Sequence, residues 1–130
     1  MEVLNVIAAA IGGWLFGAVW YMALARPWMQ AAGIAPGPDG RPQGSSARPM
    51  ALAVLAMVLV AGMMRHIFGA SGIATPGAGL VAGLGIGAFF IAPWIMLNNA
   101  FGMRPFRLTL IDGGYAIFGC GVIGLILALF

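Results

Sequence analysis

Four long apolar runs dominate this sequence, and they constrain its fold more than any other feature. The runs extend over residues 3–25, 50–68, 76–97 and 108–129. A helix of about 20 apolar residues crosses the ~30 Å hydrocarbon layer of a bilayer. None of the runs shows the sustained polar–apolar alternation of a barrel strand, and helices satisfy their own backbone hydrogen bonds in lipid. The sequence therefore predicts an all-α fold, a bundle of four transmembrane helices.

Charged side chains are too few to cover a surface that faces water. They make up 7% of the 130 residues, whereas soluble domains carry about 25%. The six arginines are scattered along the chain rather than gathered into a stripe, so the net charge of +3 does not indicate a nucleic-acid partner. We therefore expect a single integral membrane domain over residues 1–130, with membrane lipids around it and no nucleic acid bound.

The linker between the first two runs, residues 26–49, is rich in Pro, Gly and Ser, which favours a flexible or extended conformation. Its beginning, with Trp28 and Met29, can instead lie along the membrane interface. In a four-span protein this linker and the loop 98–107 share one side of the membrane. Together they carry five arginines: Arg26, Arg41, Arg48, Arg104 and Arg107. The positive-inside rule then places both loops in the cytoplasm and both chain termini outside.

Two of the runs contain a feature that could shorten them. The first ends in "ALAR", which resembles a signal-peptide cleavage site after Ala25. A signal peptide, however, begins with basic residues and has an apolar core of about 7–15 residues, whereas this run is longer and follows Glu2. We expect it to be retained as a helix. In the third run, Pro93 should kink the helix or end its regular part.

Small residues recur at every fourth position on two of the runs. They are Ala9, Gly13 and Gly17 in the first run and Gly79, Gly83 and Gly87 in the third. Helices in a bilayer associate through close packing, which small residues permit. We interpret both stripes as packing surfaces within the bundle. The alternative is a face for homo-oligomerisation or for a membrane protein partner.

The last run keeps one carboxylate, Asp112, among apolar side chains. An ionisable group in a span costs a few kcal/mol and therefore rarely faces lipid. With a rise of about 1.5 Å per residue, Asp112 lies about 10 Å from the midplane, at the depth expected for Trp20 and Tyr21. Tyr115 lies on the same helix face, three residues further along. These depths predict a polar cluster on the cytoplasmic side, made of Asp112, Tyr115, Tyr21, Trp20, Asn98 and Arg104.

The predicted cluster has two interpretations. In the structural one, Asp112 accepts hydrogen bonds that tie the first helix to the last. In the functional one, it binds a proton or a cation in a cavity open to the cytoplasm. A single acid makes a poor metal site, which favours the structural interpretation, but the sequence leaves both open.

Two other side chains could carry chemistry, His66 and Cys120. A neutral histidine can ligate a metal or a haem, but His66 follows Arg65 at the end of a span, where polar residues are ordinary. Cys120 lies between two glycines and has the surroundings of a small buried hydrophobe. No Ser, Cys or His is placed with the base and orienting group that nucleophilic catalysis requires. We therefore expect no enzymatic activity, no catalytic residues, no metal site and no cofactor.

Both ends of the chain carry patterns that resemble a known family. The stretch "GAVWYMALARPWMQAAGI" is similar to the first-helix signature of the domain of unknown function 1761 family, small bacterial and fungal membrane proteins. The matching residues are Gly17, Trp20, Tyr21, Pro27, Trp28, Met29 and Gly33. "NNAFGMRPFRLTLIDGGY" resembles its last third through Asn98, Phe101, Arg104, Pro105, Leu108, Ile111, Asp112, Gly114 and Tyr115. The resemblance covers nearly the whole chain and implies a four-helix membrane protein with no assigned activity.

These observations lead to two functional hypotheses. In the first, the chain is a non-enzymatic packing partner or accessory subunit of a membrane assembly, since it offers small-residue stripes and no catalytic pairs. In the second, it is a small transporter, channel or lipid-binding protein that uses Asp112 with Tyr21 and Arg104. We expect it in the inner membrane of a bacterium.

Overall fold

The computed structural model describes residues 2–42 and 47–130, which form five helices. The helices are α1 (Glu2–Ala23), α2 (Ala25–Ala32), α3 (Ala47–Ser71), α4 (Pro76–Phe101) and α5 (Phe106–Leu127). All except α2 are long and apolar enough to cross a membrane. The prediction of an all-α fold with four transmembrane helices is confirmed, and the predicted ends of the spans differ from the helix ends by a few residues.

The start of the linker is helical rather than flexible or extended, and the alternative that Trp28 and Met29 lie along the membrane interface stays a prediction. Residues Ala25–Ala32 form the short helix α2, which ends at Gly33 in the left-handed conformation, φ 73°. One face of α2 is buried through Met29 and Ala31, while its polar side chains stay exposed, and this apolar face accounts for the helix. Four linker residues, 43–46, lie outside the described part of the chain.

Pro93 changes the helix type of α4 locally. The helix is α over Pro76–Ile86, π over Gly87–Ile91, and α again over Ala92–Phe101. Proline has no N–H, and its ring crowds the carbonyl four residues earlier, here that of Phe89 in the π segment. The wider π turn accommodates this crowding, so the helix continues past Pro93 to the end of the span.

The central helix of the bundle is α5. It packs against α4 on one side and α1 on the other, and α1 in turn packs against α3. Within an apolar 18-residue stretch of each span, the buried share of residues is 39% in α5 and 28% in α1, against 17% in α3 and 11% in α4. Helices α3 and α4 are therefore the edges of the bundle, and most of their apolar side chains remain exposed within the chain.

The small-residue stripe of α4 lies against the backbone of α5. A Cβ atom at Gly83 would overlap the carbonyl oxygen of Cys120. Gly79 and Gly87 approach α5 backbone carbonyls in the same way, one helical turn on either side. The two helices therefore touch main chain to main chain, at a separation that only glycine permits.

The stripe of α1 also lies inside the bundle. Ala9 is fully buried in the core. A Cβ at Gly13 would come 2.9 Å from the side chain of Ile123, and one at Gly17 would come 2.6 Å from the phenol oxygen of Tyr115. Here the small residues make room for large side chains of α5 rather than for its backbone.

Asn5 connects the beginning of α1 to the end of α5. Its side chain is 2% exposed, and Nδ2 donates to the carbonyl oxygens of Leu127 at 3.2 Å and Phe130 at 3.1 Å. Within the described residues its Oδ1 is buried without a hydrogen-bond partner. The contact places both chain ends at the same end of the bundle, opposite the arginine-bearing loops.

Replacing Asn5 by leucine should loosen this end of the bundle. Two carbonyls at the end of α5 lose their donor, and removal of the unpaired Oδ1 offsets part of that cost, so we expect a loss of about 1 kcal/mol in the free energy of unfolding. Hydrogen exchange of the last turn of α5 should become faster. The control is Asn98→Leu, the same change at an exposed position; equal exchange in both variants would contradict the proposed connection.

Candidate functional site

The carboxylate of Asp112 is bound by a side chain of the first span. The hydroxyl of Tyr21 donates to Asp112 Oδ1 at 2.6 Å, and both side chains are half-buried between α1 and α5. Distances of about 2.5–2.7 Å are typical of an O–H donor on a carboxylate oxygen. Asp112 is thus in contact with Tyr21 of the opposing helix, one of the neighbours that the sequence predicts for it.

Two further aromatic side chains donate hydrogen bonds between the same two helices, α1 and α5. Trp20 Nε1 donates to the carbonyl oxygen of Ile111 at 3.0 Å, and the Tyr115 hydroxyl donates to the carbonyl oxygen of Gly13 at 2.9 Å. The rings of Tyr21 and Tyr115 meet edge to face with centroids 5.5 Å apart. We call Trp20, Tyr21, Asp112 and Tyr115 the Asp112 cluster.

Glycines on both helices make room for these rings. Beside Gly17, the space that a Cβ would need is taken by the phenol of Tyr115. Beside Gly114, the indole of Trp20 would lie 2.8 Å from such an atom. A tyrosine or tryptophan can therefore lie flat between α1 and α5 and still reach an acceptor on the other helix.

Two residues predicted for the cluster lie elsewhere. Arg104 Nη1 donates to the carbonyl oxygen of Ala32, the last residue of α2, at 2.9 Å. Asn98 is exposed on α4, and no hydrogen bond joins its side chain to Asp112 within residues 2–42 and 47–130. Depth along the membrane normal was the basis of both assignments, and depth alone does not say which helices are neighbours.

Other contacts near the Asp112 cluster were not predicted from the sequence. Asn99, next to Asn98, donates from Nδ2 to Thr109 Oγ1 at 3.2 Å and links α4 to α5. Trp28 of α2 packs edge-on against Tyr21, with ring centroids 5.9 Å apart. The second contact depends on the break between α1 and α2, which the sequence pattern does not reveal.

His66 lies at the opposite end of the bundle from the Asp112 cluster. It is exposed and lines an open, largely apolar groove of about 700 Å³ between α1 and α3, together with Arg65. Within the described ranges, no three His, Cys, Asp or Glu side chains come together in a group that could hold a metal ion. The expectation that His66 is an ordinary polar residue at the end of a span rather than a ligand stays a prediction.

The chemistry of the Asp112 cluster is that of interhelical hydrogen bonding. Its three aromatic donors each bind an acceptor on the opposing helix, so each of them joins α1 to α5. The acceptors are one carboxylate and two backbone carbonyls. These hydrogen bonds hold α1 and α5 together. They also occupy the donor groups of Trp20, Tyr21 and Tyr115, which are therefore not available to a ligand.

Comparison with known proteins agrees with the resemblance noted at both ends of the chain. The family model described as protein of unknown function (DUF1761) matches residues 4–128. The match includes the four spans and every residue of the Asp112 cluster. Neither a curated protein nor a solved structure shows a significant match to the chain. The chain is therefore a member of the domain of unknown function 1761 family, a membrane protein with four transmembrane helices.

Proposed function

We propose that this protein is a non-enzymatic accessory subunit that packs against a partner in the membrane through its edge helices. The observation that carries the proposal is the unequal burial of the four spans. Helices α1 and α5 are joined by the hydrogen bonds of the Asp112 cluster, whereas within an apolar 18-residue stretch of each span only 17% of α3 and 11% of α4 is buried. The pair α1–α5 serves as the scaffold, and α3 and α4 are the helices presented to other molecules.

The contacts of the Asp112 cluster support a structural role for Asp112. Tyr21 already donates to Asp112 at 2.6 Å, and Tyr115 uses its hydroxyl on Gly13. A transport or ligand-binding role would require Asp112 to exchange this donor for water, a cation or a substrate. The observed geometry favours the packing role over that alternative.

Photocrosslinking in native membranes tests the proposal. A photoreactive amino acid at Leu59 of α3 or Phe90 of α4, which are 64% and 69% exposed, should form adducts with a defined protein. The matched control is Val19 on the outer face of α1, which is 65% exposed and belongs to the scaffold. An adduct with twice the mass of the chain would identify a second copy of this protein as the partner. An adduct of any other mass would identify a different subunit. Lipid adducts alone at all three positions would contradict the proposal.

A further inference from the structure

Three arginines from separate parts of the chain meet around α2. Arg26 belongs to α2 itself, whereas Arg104 lies in the loop between α4 and α5 and Arg107 lies in the first turn of α5. Arg104 donates to the last carbonyl of α2, and Arg107 Nη2 donates to Gln30 Oε1 at 3.4 Å. Arg26 precedes Gln30 by four residues, so their Cβ atoms lie about 6 Å apart on one helix face. The positive charges of Arg26 and Arg107 therefore flank Gln30.

An open pocket of about 260 Å³ lies beside this group. Its polar lining comes from Arg26 and Gln30, and its apolar lining from Met29, Ile34 and Pro36. The pocket thus places a guanidinium and an amide at the edge of an apolar surface. A molecule that fits it has an anionic, hydrogen-bond-accepting head and an apolar continuation.

The charges at this end of the bundle favour an anion. Of the acids here, Asp39 lies 4.0 Å from Arg41, and Asp112 accepts from Tyr21 within the membrane-spanning part. Neither carboxylate neutralises Arg26 or Arg107 by a contact within the described residues. The pocket lies on α2, where Met29 and Ala31 are buried and Gln30 is exposed, and α2 follows directly on the end of the first span, where a lipid headgroup would be within reach.

We propose that this pocket binds the headgroup of an anionic phospholipid. The phosphate accepts hydrogen bonds from Arg26 and Gln30, which line the pocket, and the positive charge of Arg107, next to Gln30, attracts it further; the glycerol and first methylene groups lie on Met29 and Ile34. Guanidinium groups suit phosphate because their planar N–H donors can bind two oxygens at once. Because Arg107 on α5 already donates to Gln30 on α2, a headgroup bound to Gln30 and Arg26 would also stabilise the contact between α2 and α5.

The test is lipid binding by the full-length protein in detergent micelles, counted by native mass spectrometry. Phosphatidylglycerol should be retained in preference to phosphatidylcholine. Arg26→Gln and Arg107→Gln should each weaken phosphatidylglycerol binding about fivefold, the ratio that one basic residue near an anionic lipid surface typically contributes. The matched control is Arg65→Gln, which removes the same charge at the opposite end of the bundle and should leave binding within about twofold.

Each alternative outcome would overturn the proposal. If Arg26→Gln, Arg107→Gln and Arg65→Gln weaken phosphatidylglycerol binding equally, the lipid is attracted by net charge and not by a site. If neither Arg26→Gln nor Arg107→Gln weakens it, the pocket is not the binding site. Soluble glycerol phosphate that displaces the lipid at equal concentration would point to a free-phosphate site. A second measurement does not depend on variants: added NaCl should reduce phosphatidylglycerol retention by the unmodified protein, because salt screens exposed charges. Retention that is independent of salt would also contradict the proposal.

Discussion

Replacing Gly83 by alanine is expected to separate α4 from α5 and to lower the free energy of unfolding by about 3 kcal/mol, the upper part of the usual range for overpacking. The added Cβ would overlap the carbonyl oxygen of Cys120. A backbone carbonyl cannot rotate away as a side chain can, so one whole helix must move. The measurement is reversible unfolding by SDS in lipid bicelles.

The control for this prediction is the same substitution two residues further along. Gly85 has nothing within 4 Å of the position that a Cβ would occupy. Gly85→Ala should therefore leave stability unchanged or slightly raised, because alanine is the better helix former. Equal stability of the Gly83→Ala and Gly85→Ala variants would show that α4 and α5 do not approach each other along Gly83.

Replacing Tyr21 by phenylalanine should produce the second large effect, a loss of about 2 kcal/mol. The change keeps the ring and removes the hydroxyl that donates to Asp112 Oδ1. A hydrogen bond to a charged group contributes about 1.5–3 kcal/mol, and an acceptor left without its donor at a helix interface is costly. Tyr115→Phe is the matched control, because that hydroxyl binds a neutral carbonyl, and its loss should cost about 1 kcal/mol.

A double-mutant cycle assigns the Tyr21 effect to Asp112. Asp112→Asn keeps the shape of the side chain and removes its charge. If the two groups stabilise the fold through each other, Tyr21→Phe should cost about 1 kcal/mol less in the Asp112→Asn background, whereas Tyr115→Phe should cost the same in both. Additive losses at Tyr21 would mean that its hydroxyl and Asp112 act independently. A folded Asp112→Asn protein that loses ligand binding or proton-coupled flux would favour the transport hypothesis.

The class of fold can be predicted from the sequence because few backbone structures satisfy their own hydrogen bonds when a long apolar run lies in lipid. The same constraint locates the spans to within a few residues. The exceptions have local causes. The break at Leu24 and the helix after it depend on how Met29 and Ala31 pack against the bundle, and the π turn of α4 depends on how the helix absorbs the ring of Pro93.

The candidate site was only partly predictable, since depth and lateral position are separate quantities. The rise per residue gives the depth of a side chain, and it placed Trp20 and Tyr21 at the level of Asp112. Which helices are neighbours depends on packing, and α5 turns out to lie between α1 and α4. Arg104 shares the end of the bundle but reaches α2 instead. The sequence did not indicate the contact of Asn5 with the end of α5, because a single amide near the start of a span is ordinary at a membrane interface.

The side chains of the Asp112 cluster bind α1 to α5 instead of a ligand, and an experimental density map of the protein in a lipid nanodisc tests this most directly. We expect the Tyr21 hydroxyl within hydrogen-bond distance of Asp112, with the ring of Tyr115 against it and no other molecule between the two helices. A carboxylate that faces the acyl chains, or density for a cation or substrate beside it in place of the Tyr21 hydroxyl, would contradict the account.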